Sequence, residues 1–219
     1  MAWVATENFE SYSAGALAGN NGGSGWTSAW TSLSNDDWQV GTTTVCGGSK
    51  NAVDTVTSGD ATSRIYRDFA ALSGTTNEVQ FYLAASSATT DNIQVQFANS
   101  SSASRIEIQM GEGVGGGGDI ELVGATSQSL ATSFSANTCY LVTVDIDVTN
   151  SRARAKLDGG AYTSYVSLAN SGDITRLILT ASQEGTGANT SFYFDEIGPV
   201  GGAAATTLLS RRMRMGIGS

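Results

Sequence analysis

Apolar side chains recur at every second position through most of this chain, and this alternation constrains its fold more than any other feature. Successive side chains of a β-strand point to opposite faces of a sheet, so the period predicts strands with one buried face. The pattern is clearest in four segments, whose predicted inward residues are Val79, Phe81 and Leu83; Ile93, Val95 and Phe97; Ile106, Ile108 and Met110; and Tyr140, Val142, Val144, Ile146 and Val148.

Turn-forming clusters such as "ASSATTDN" and "NSSSAS" separate these segments, and the turn at Thr149 and Asn150 predicts a hairpin with the following "SRARAKLDGG". The chain has 27 glycines and 1 proline in 219 residues, which favours strands joined by glycine-rich turns. No segment keeps a helical period. About twelve to fourteen strands are expected, so the fold class is all-β, a two-sheet antiparallel jelly-roll sandwich.

The alternation ends near residue 200, which predicts two parts, a β-sandwich domain over 1–200 and a flexible or docking tail over 201–219. The tail contains Leu208 and Leu209 and the basic run from Arg211 to Arg214. These residues are candidates for contact with a partner, such as a second copy of the chain or another protein of a particle.

The body of the chain is acidic. The chain has 20 Asp and Glu against 11 Lys and Arg, and three of those arginines lie in the tail, so the body carries 8 − 20 = −12. Such a charge repels phosphates, which argues against nucleic-acid binding. No run of 18 apolar residues predicts a membrane span, and the first residues, "MAWVATENFE", contain no export signal pattern.

Cys46 and Cys139 are the two cysteines, and the chain has no histidine. A zinc site with the usual number of ligands is therefore excluded. The spacing is compatible either with a disulfide or with two buried thiols.

Three segments together resemble the concanavalin A-like lectin/glucanase superfamily, in its laminin-G-like branch. They are the opening "ENFESYSAGALAGNNGGSGWTSAW", the "YLVTVDIDVTNSRARAKLDGG" hairpin and the closing "TSFYFDEIGPV". The resemblance runs from about Glu7 to Val200 and implies a concanavalin A-like sandwich. It also implies that Phe9 lies on a strand beside the last one and that residues 15–25 cross over the end of the sandwich.

The resemblance further implies a structural Ca²⁺ ion, held by Glu10 and Asp195 where the first and last strands meet. Calcium prefers oxygen ligands, which an acidic chain can supply. Trp26 and Trp30 are expected to cap the core, and as loop tryptophans they are also the candidates for stacking on a sugar ring.

Catalytic residues are not evident. Glycoside hydrolysis needs two carboxylates about 5–10 Å apart, and the Glu-x-Asp-x-x-Glu run of the enzymes that this chain resembles is absent. The nearest pairs are Glu107 with Glu112, Asp119 with Glu121, and Asp145 with Asp147, and the last two pairs are interpreted as solvated strand faces. Without histidine, Ser-His-Asp and Cys-His mechanisms are excluded.

Three functions remain open. The first is a non-catalytic structural protein of a virus (phage) particle, such as a capsid decoration or fibre-associated protein, made in the host cytoplasm. The second is a carbohydrate-binding, lectin-like module, which would work outside the cell. A glycoside hydrolase is the third, and the missing carboxylate motif argues against it.

Overall fold

The fold consists of two antiparallel β-sheets. The structure is a computed structural model that describes residues 3–35, 37–57, 62–87, 91–111, 118–182 and 189–200. Within these residues there is no helix, and therefore none that could span a membrane. The strands are β1 (Gly15–Ala16), β2 (Thr31–Ser34), β3 (Gln39–Gly41), β4 (Asn51–Val56), β5 (Ser63–Asp68), β6 (Glu78–Ala85), β7 (Asn92–Ala98), β8 (Ser104–Gly111), β9 (Asp119–Val123), β10 (Ser127–Ala131), β11 (Tyr140–Asp147), β12 (Arg152–Leu157), β13 (Val166–Ser167), β14 (Arg176–Ser182) and β15 (Thr190–Pro199).

One sheet has eight strands, in the order β1-β3-β4-β15-β6-β11-β12-β13, and the other has seven, in the order β10-β9-β8-β7-β14-β5-β2. Each paired neighbour is antiparallel. The predicted all-β jelly-roll sandwich is confirmed, as is the β11–β12 hairpin. The predicted tail, including Leu208, Leu209 and Arg211 to Arg214, lies outside the described residues.

The alternating residues form the core between the sheets. Twelve of the fourteen predicted inward residues are no more than 1% exposed, whereas Tyr140 and Val148 pack at its margin. Tyr140 begins β11, and Val148 lies in the turn after it. Burial of apolar surface is the main favourable contribution to folding, so this layer is the main source of the sandwich's stability.

A buried arginine attaches the glycine-rich N-terminal segment to β5. Arg67 is 1% exposed, and all five of its N–H groups have an acceptor. These acceptors are Ser28 O at 2.9 Å, Glu7 Oε2 at 2.6 Å, Tyr12 Oη at 3.2 Å, Asn21 Oδ1 at 2.7 Å and Gly22 O at 2.8 Å. A buried charge is tolerated only when it is paired and fully hydrogen-bonded, and Arg67 meets both conditions.

The start of the chain meets the last strand through Glu7, and the expectation for Phe9 is wrong. Glu7 N–H donates to the Ile197 carbonyl at 2.9 Å. Phe9 lies in a bend with φ 59°, not on a strand. Glu7 Oε1 accepts the backbone N–H groups of Asn8 and Phe9, both at 3.0 Å, so one carboxylate holds this bend and also pairs with Arg67.

Replacing Arg67 should destabilise the whole sandwich. In Arg67→Met the buried Glu7 carboxylate loses its counter-charge, and we expect the free energy of unfolding to fall by ~3–5 kcal/mol. Urea denaturation measures it. Arg64→Met is the matched control, because Arg64 lies on the same strand and faces outward, so it should cost under about 1 kcal/mol. Equal losses in the two variants would contradict this role of the ion pair.

Candidate functional site

The outer side of the seven-stranded sheet carries a group of amide and carboxylate side chains. On β7 and β8 the core takes Ile93, Val95, Phe97, Ile106, Ile108 and Met110, so the residues between them face outward. The outward residues Gln94, Gln96, Glu107 and Gln109, together with Glu121 of β9, form what we call the amide–carboxylate face.

The strand register brings these side chains into two rows. In one row Glu121, Gln109, Gln94, Thr180 and Arg64 are successive cross-strand partners. The parallel row consists of Val123, Glu107, Gln96, Ile178 and Tyr66. Each row crosses β9, β8, β7, β14 and β5, four steps of about 4.8 Å between neighbouring strands.

Gln96 is the centre of this face. Its amide nitrogen donates to Gln94 Oε1 and to Glu107 Oε2, both at 2.9 Å. Gln109 donates to the other Glu107 oxygen at 2.6 Å, and Arg64 lies 3.4 Å from Gln96 Oε1. Gln96 is 8% exposed, whereas Gln94, Glu107 and Gln109 are partly exposed. The network therefore fixes the orientation of side chains that solvent can reach.

An aromatic ring is fixed at one end of the second row. The Arg176 guanidinium lies 3.8 Å from the centre of the Tyr66 ring and is held in place by Asp68, at 2.7 and 3.1 Å. The outer side of this sheet thus combines the amides and two carboxylates of the amide–carboxylate face with a neighbouring arginine and tyrosine. These groups suit a ligand that has many hydroxyls and apolar C–H faces.

The sequence alone indicates only part of this face. Glu107, Asp119 and Glu121 are among the nearest carboxylate pairs, and the pair of Asp119 and Glu121 is interpreted as solvated. Asp119 and Glu121 are in fact 9% and 6% exposed, and Glu107 accepts two amide N–H groups. The three glutamines were not singled out, although their outward position follows from the alternation. Glu112 lies outside the described residues.

The outer side of the eight-stranded sheet carries a different arrangement, in which tyrosine rings and cations alternate. The Arg152 guanidinium lies 4.0 Å from the Tyr165 ring centre, and Arg154 lies 4.8 Å from Tyr165 and 4.4 Å from Tyr162. Lys156 lies 4.5 Å from the Tyr162 ring. Burial, together with the hydrogen bond that Tyr162 donates to Glu78, raises the pKa of Tyr162. We call these five residues the tyrosine–cation ladder.

Asp145 and Asp147 lie beneath this ladder, and the interpretation of them as solvated carboxylates is wrong. Each is 2% exposed, and they pair with Arg154 and Arg152, both at 3.0 Å. The arginines come from the partner strand of the hairpin, which a sequence pattern alone does not place opposite a given residue. Since each carboxylate is neutralised by a cation, neither is poised as a general acid or nucleophile.

Glu10 and Asp195 do meet the same segment, the 42–50 loop between β3 and β4. Asp195 Oδ2 accepts the N–H groups of Cys46 and Gly47 at 3.0 and 2.9 Å, and its Oδ1 accepts that of Glu196 at 2.9 Å. Glu10 accepts the N–H groups of Ser49 and Lys50 and the Ser49 hydroxyl. A side chain at Gly48, whose φ is 57°, would collide with the Glu10 carboxylate.

These contacts do not fit a calcium ion held by this pair. Each of the four carboxylate oxygens already accepts an N–H or O–H donor, and the positive ends of those dipoles would repel a cation. Among the residues that the structure describes, no group of three or more acidic or cysteine side chains could hold a metal ion. Calcium binding therefore remains an untested prediction that this geometry does not support.

The two carboxyls titrate in opposite directions. Burial raises the pKa of Asp195 to about 8, the Gly47 N–H group opposes the rise, and the Glu196 carboxylate adds to it. Burial would also raise the pKa of Glu10, but the hydrogen bonds from Ser49 and Lys50 outweigh burial and lower it. Glu10 is therefore a stable anion, whereas ionising Asp195 is costly.

Cys46 and Cys139 form a disulfide, which resolves the alternatives that the sequence left open. The bond joins the 42–50 loop to the segment just before β11. The same loop is therefore fixed by a covalent bond and by two carboxylates.

Trp26 and Trp30 pack in or against the core. Trp30 is 1% exposed, and Trp26 is partly buried and donates to the Thr6 carbonyl at 2.9 Å. The Arg67 guanidinium lies 4.9 Å from the Trp26 ring and 5.8 Å from the Trp30 ring. In this arrangement Trp30 has almost no surface for a sugar ring. The expectation that the two tryptophans cap the core agrees with these contacts.

Comparison with known proteins identifies structural neighbours only. No family model and no curated protein matches the chain. The solved structures that resemble it include a sialidase, with TM-score 0.59, 14% identity, and coverage of 77% of this chain but only 16% of the sialidase. A carbohydrate esterase from the Shiga toxin-encoding bacteriophage phi24B has TM-score 0.55 and 13% identity, and the match covers 85% of this chain and 98% of that one.

The receptor-binding domain of botulinum neurotoxin type G has TM-score 0.54 and 10% identity, with 98% of this chain and 52% of that one covered. Enzymes and binding domains thus both occur among the neighbours. At these identities the likeness shows the fold alone, a β-sandwich consistent with the expected concanavalin A-like type.

Asp195 should make stability fall as the pH rises. Its carboxyl keeps a proton in the folded state up to about pH 8 but loses it near pH 4 when unfolded. The folded state therefore binds more protons between these values, and its free energy of unfolding decreases across that window, by a few kcal/mol at most.

Urea titrations from pH 4 to pH 9 measure this slope. Asp195→Asn cannot ionise and should flatten it, whereas Asp173→Asn, which changes an exposed aspartate, should leave it unchanged. An identical slope in Asp195→Asn and the parent chain would refute the assignment to Asp195.

Calcium should have little effect on stability. Because N–H and O–H donors already occupy Glu10 and Asp195, we expect the same Tm in Ca²⁺ and in EDTA, measured by scanning calorimetry. A calcium-dependent increase in Tm that disappears in Glu10→Gln would overturn this expectation and support the ion that the family resemblance implies.

Proposed function

We propose that this chain is a non-catalytic, carbohydrate-binding module with a lectin-like fold. The observation that carries the proposal is the amide–carboxylate face, where Gln96 orients Gln94 and Glu107, and Gln109 contacts the same glutamate. The similarity to a sialidase, a carbohydrate esterase and a toxin receptor-binding domain supports it, although those names belong to the neighbours.

Sugar hydroxyls both donate and accept hydrogen bonds, so they are best recognised by groups that can do the same. A glutamine amide offers two donors and an acceptor, and a carboxylate accepts strongly from a hydroxyl. Prior orientation of these side chains reduces the entropy lost on binding. The network around Gln96 provides that orientation before any ligand arrives.

The hydrogen bonds that Glu107 accepts favour binding over hydrolysis. Glu107 and Glu121 lie diagonally on neighbouring strands, about 7–8 Å apart, a separation that a glycosidase could use. However, both Glu107 oxygens already accept an amide N–H group, one from Gln96 and one from Gln109, so the carboxylate is part of a hydrogen-bond network that suits binding to hydroxyls.

The disulfide supports a place of action outside the cytoplasm, since disulfides persist in oxidising surroundings. An extracellular module and a protein of a released virus particle both meet that condition. The bacteriophage esterase among the neighbours keeps the virion role as a second candidate. Its proposed docking segment, 201–219, lies outside the described residues.

A glycan array incubated with the full chain tests the proposal. We expect binding to at least one glycan, weakened at least tenfold, about 1.4 kcal/mol, in Gln94→Ala/Gln109→Ala. Gln39→Ala, which changes an exposed glutamine on β3 of the opposite sheet, is the matched control and should bind like the parent. No binding to any glycan, or equal loss in the control, would contradict the proposal.

Catalysis is checked on the same ligand. Mass spectrometry after prolonged incubation should recover the glycan intact. Turnover that Glu107→Gln abolishes would instead identify a glycoside hydrolase.

A further inference from the structure

We propose that the amide–carboxylate face binds a neutral oligosaccharide that lies across the strands, and that it discriminates against acidic glycans. This inference rests on the proposed function and adds the class of glycan, its direction and its extent.

The direction follows from the order of the side chains. The groups that can hydrogen-bond to a sugar are cross-strand partners, from Glu121 through Gln109, Gln94 and Thr180 to Arg64. Along a single strand, by contrast, every second residue belongs to the core. A ligand parallel to the strands would meet only two or three outward residues, whereas one that crosses them meets accessible polar groups on β8, β7 and β5.

The extent follows from the same row. Thr180 and Glu121 are 4% and 6% exposed, whereas Gln94, Gln109 and Arg64 are partly exposed. The accessible part of the row therefore runs from Gln109 on β8 to Arg64 on β5, three strand-to-strand steps or about 14 Å. This length exceeds a single sugar ring, so the face is a shallow track for more than one sugar unit.

The selectivity follows from the charges. Glu107 and Glu121 face outward at the β8–β9 end. Arg105 lies two residues before Glu107 on β8, but it is 7% exposed and donates to the carbonyls of Ala169 and Gly172. The other two cations, Arg64 and Arg176, lie on β5 and β14. Arg176 is paired with Asp68, and Arg64 contacts Gln96. A uronic or sialic acid carboxylate placed over β8 would meet like charge, while a hydroxyl would meet an acceptor.

Calorimetric titration tests this with probes of defined length and charge. The probes are neutral malto- and cello-oligosaccharides of one to six units, together with the glycan found on the array, and oligogalacturonates of the same lengths. For the neutral ligands we expect affinity to rise with length and then level off once the track is filled. Oligogalacturonates should bind roughly tenfold more weakly at low salt, and the difference should shrink as salt is added.

Glu107→Gln/Glu121→Gln keeps the shape of the two side chains and removes both charges. In this variant the difference in affinity between neutral and acidic oligosaccharides should become smaller. A Tm measurement on the same sample shows that the variant folds. Lys156→Gln, on the opposite sheet, is the control and should leave the difference unchanged.

The outcomes separate the two proposals. If no glycan of either kind binds here or on the array, the proposed function fails, and this inference fails with it. If glycans bind but affinity is independent of length, or the acidic series binds more tightly, only the inference is overturned. The inference would also be overturned if Glu107→Gln/Glu121→Gln and the parent chain showed the same ratio of affinities for neutral and acidic ligands.

Discussion

The buried pair between Glu7 and Arg67 is the contact on which the rest of the arrangement depends. Neither side chain is exposed by more than 1%, and the pair joins the segment before β1 to β5 of the seven-stranded sheet. Glu7 also pairs through its backbone with Ile197, in the other sheet. One residue thus links both layers of the sandwich, and the Gly- and Asn-rich segment that follows supplies Asn21 and Gly22 as acceptors for Arg67.

Much of the fold could be predicted because alternation is a local signal. The polar residues on either side of Phe81, Val95 and Ile108 predict that these three side chains point into the core. Pairing across the hairpin at Asn150 is nearly local as well. Glu7 and Arg67, by contrast, are 60 residues apart in the chain, and nothing near either residue indicates that the other will neutralise it.

The candidate site was likewise predictable only where it depends on neighbouring residues in the sequence. That Gln94 and Gln109 face outward follows from the residues beside them, but that they are neighbours depends on the register between β7 and β8. A glutamine has no charge and belongs to no catalytic motif, so the sequence draws attention to the charged residues and not to Gln94, Gln96 and Gln109. Alternation does not show which residues of β12 lie opposite Asp145 and Asp147, so it does not reveal that Arg154 and Arg152 neutralise them. The N–H donors that meet Glu10 and Asp195 are backbone groups, which nearly every residue has, so the sequence does not reveal that these carboxylates are already occupied.

The contact between Glu7 and Ile197 has a consequence for how the sandwich can be joined to other domains. Glu7 is four residues from the first described residue and Ile197 is three from the last, so both ends of the described chain lie within a few residues of one shared backbone contact. A circular permutant that connects these ends with a short linker and opens at an exposed turn, such as the one at Asn150, should keep the two sheets intact. The same geometry would let this sandwich be inserted into a loop of a host domain without forcing the host's strands apart.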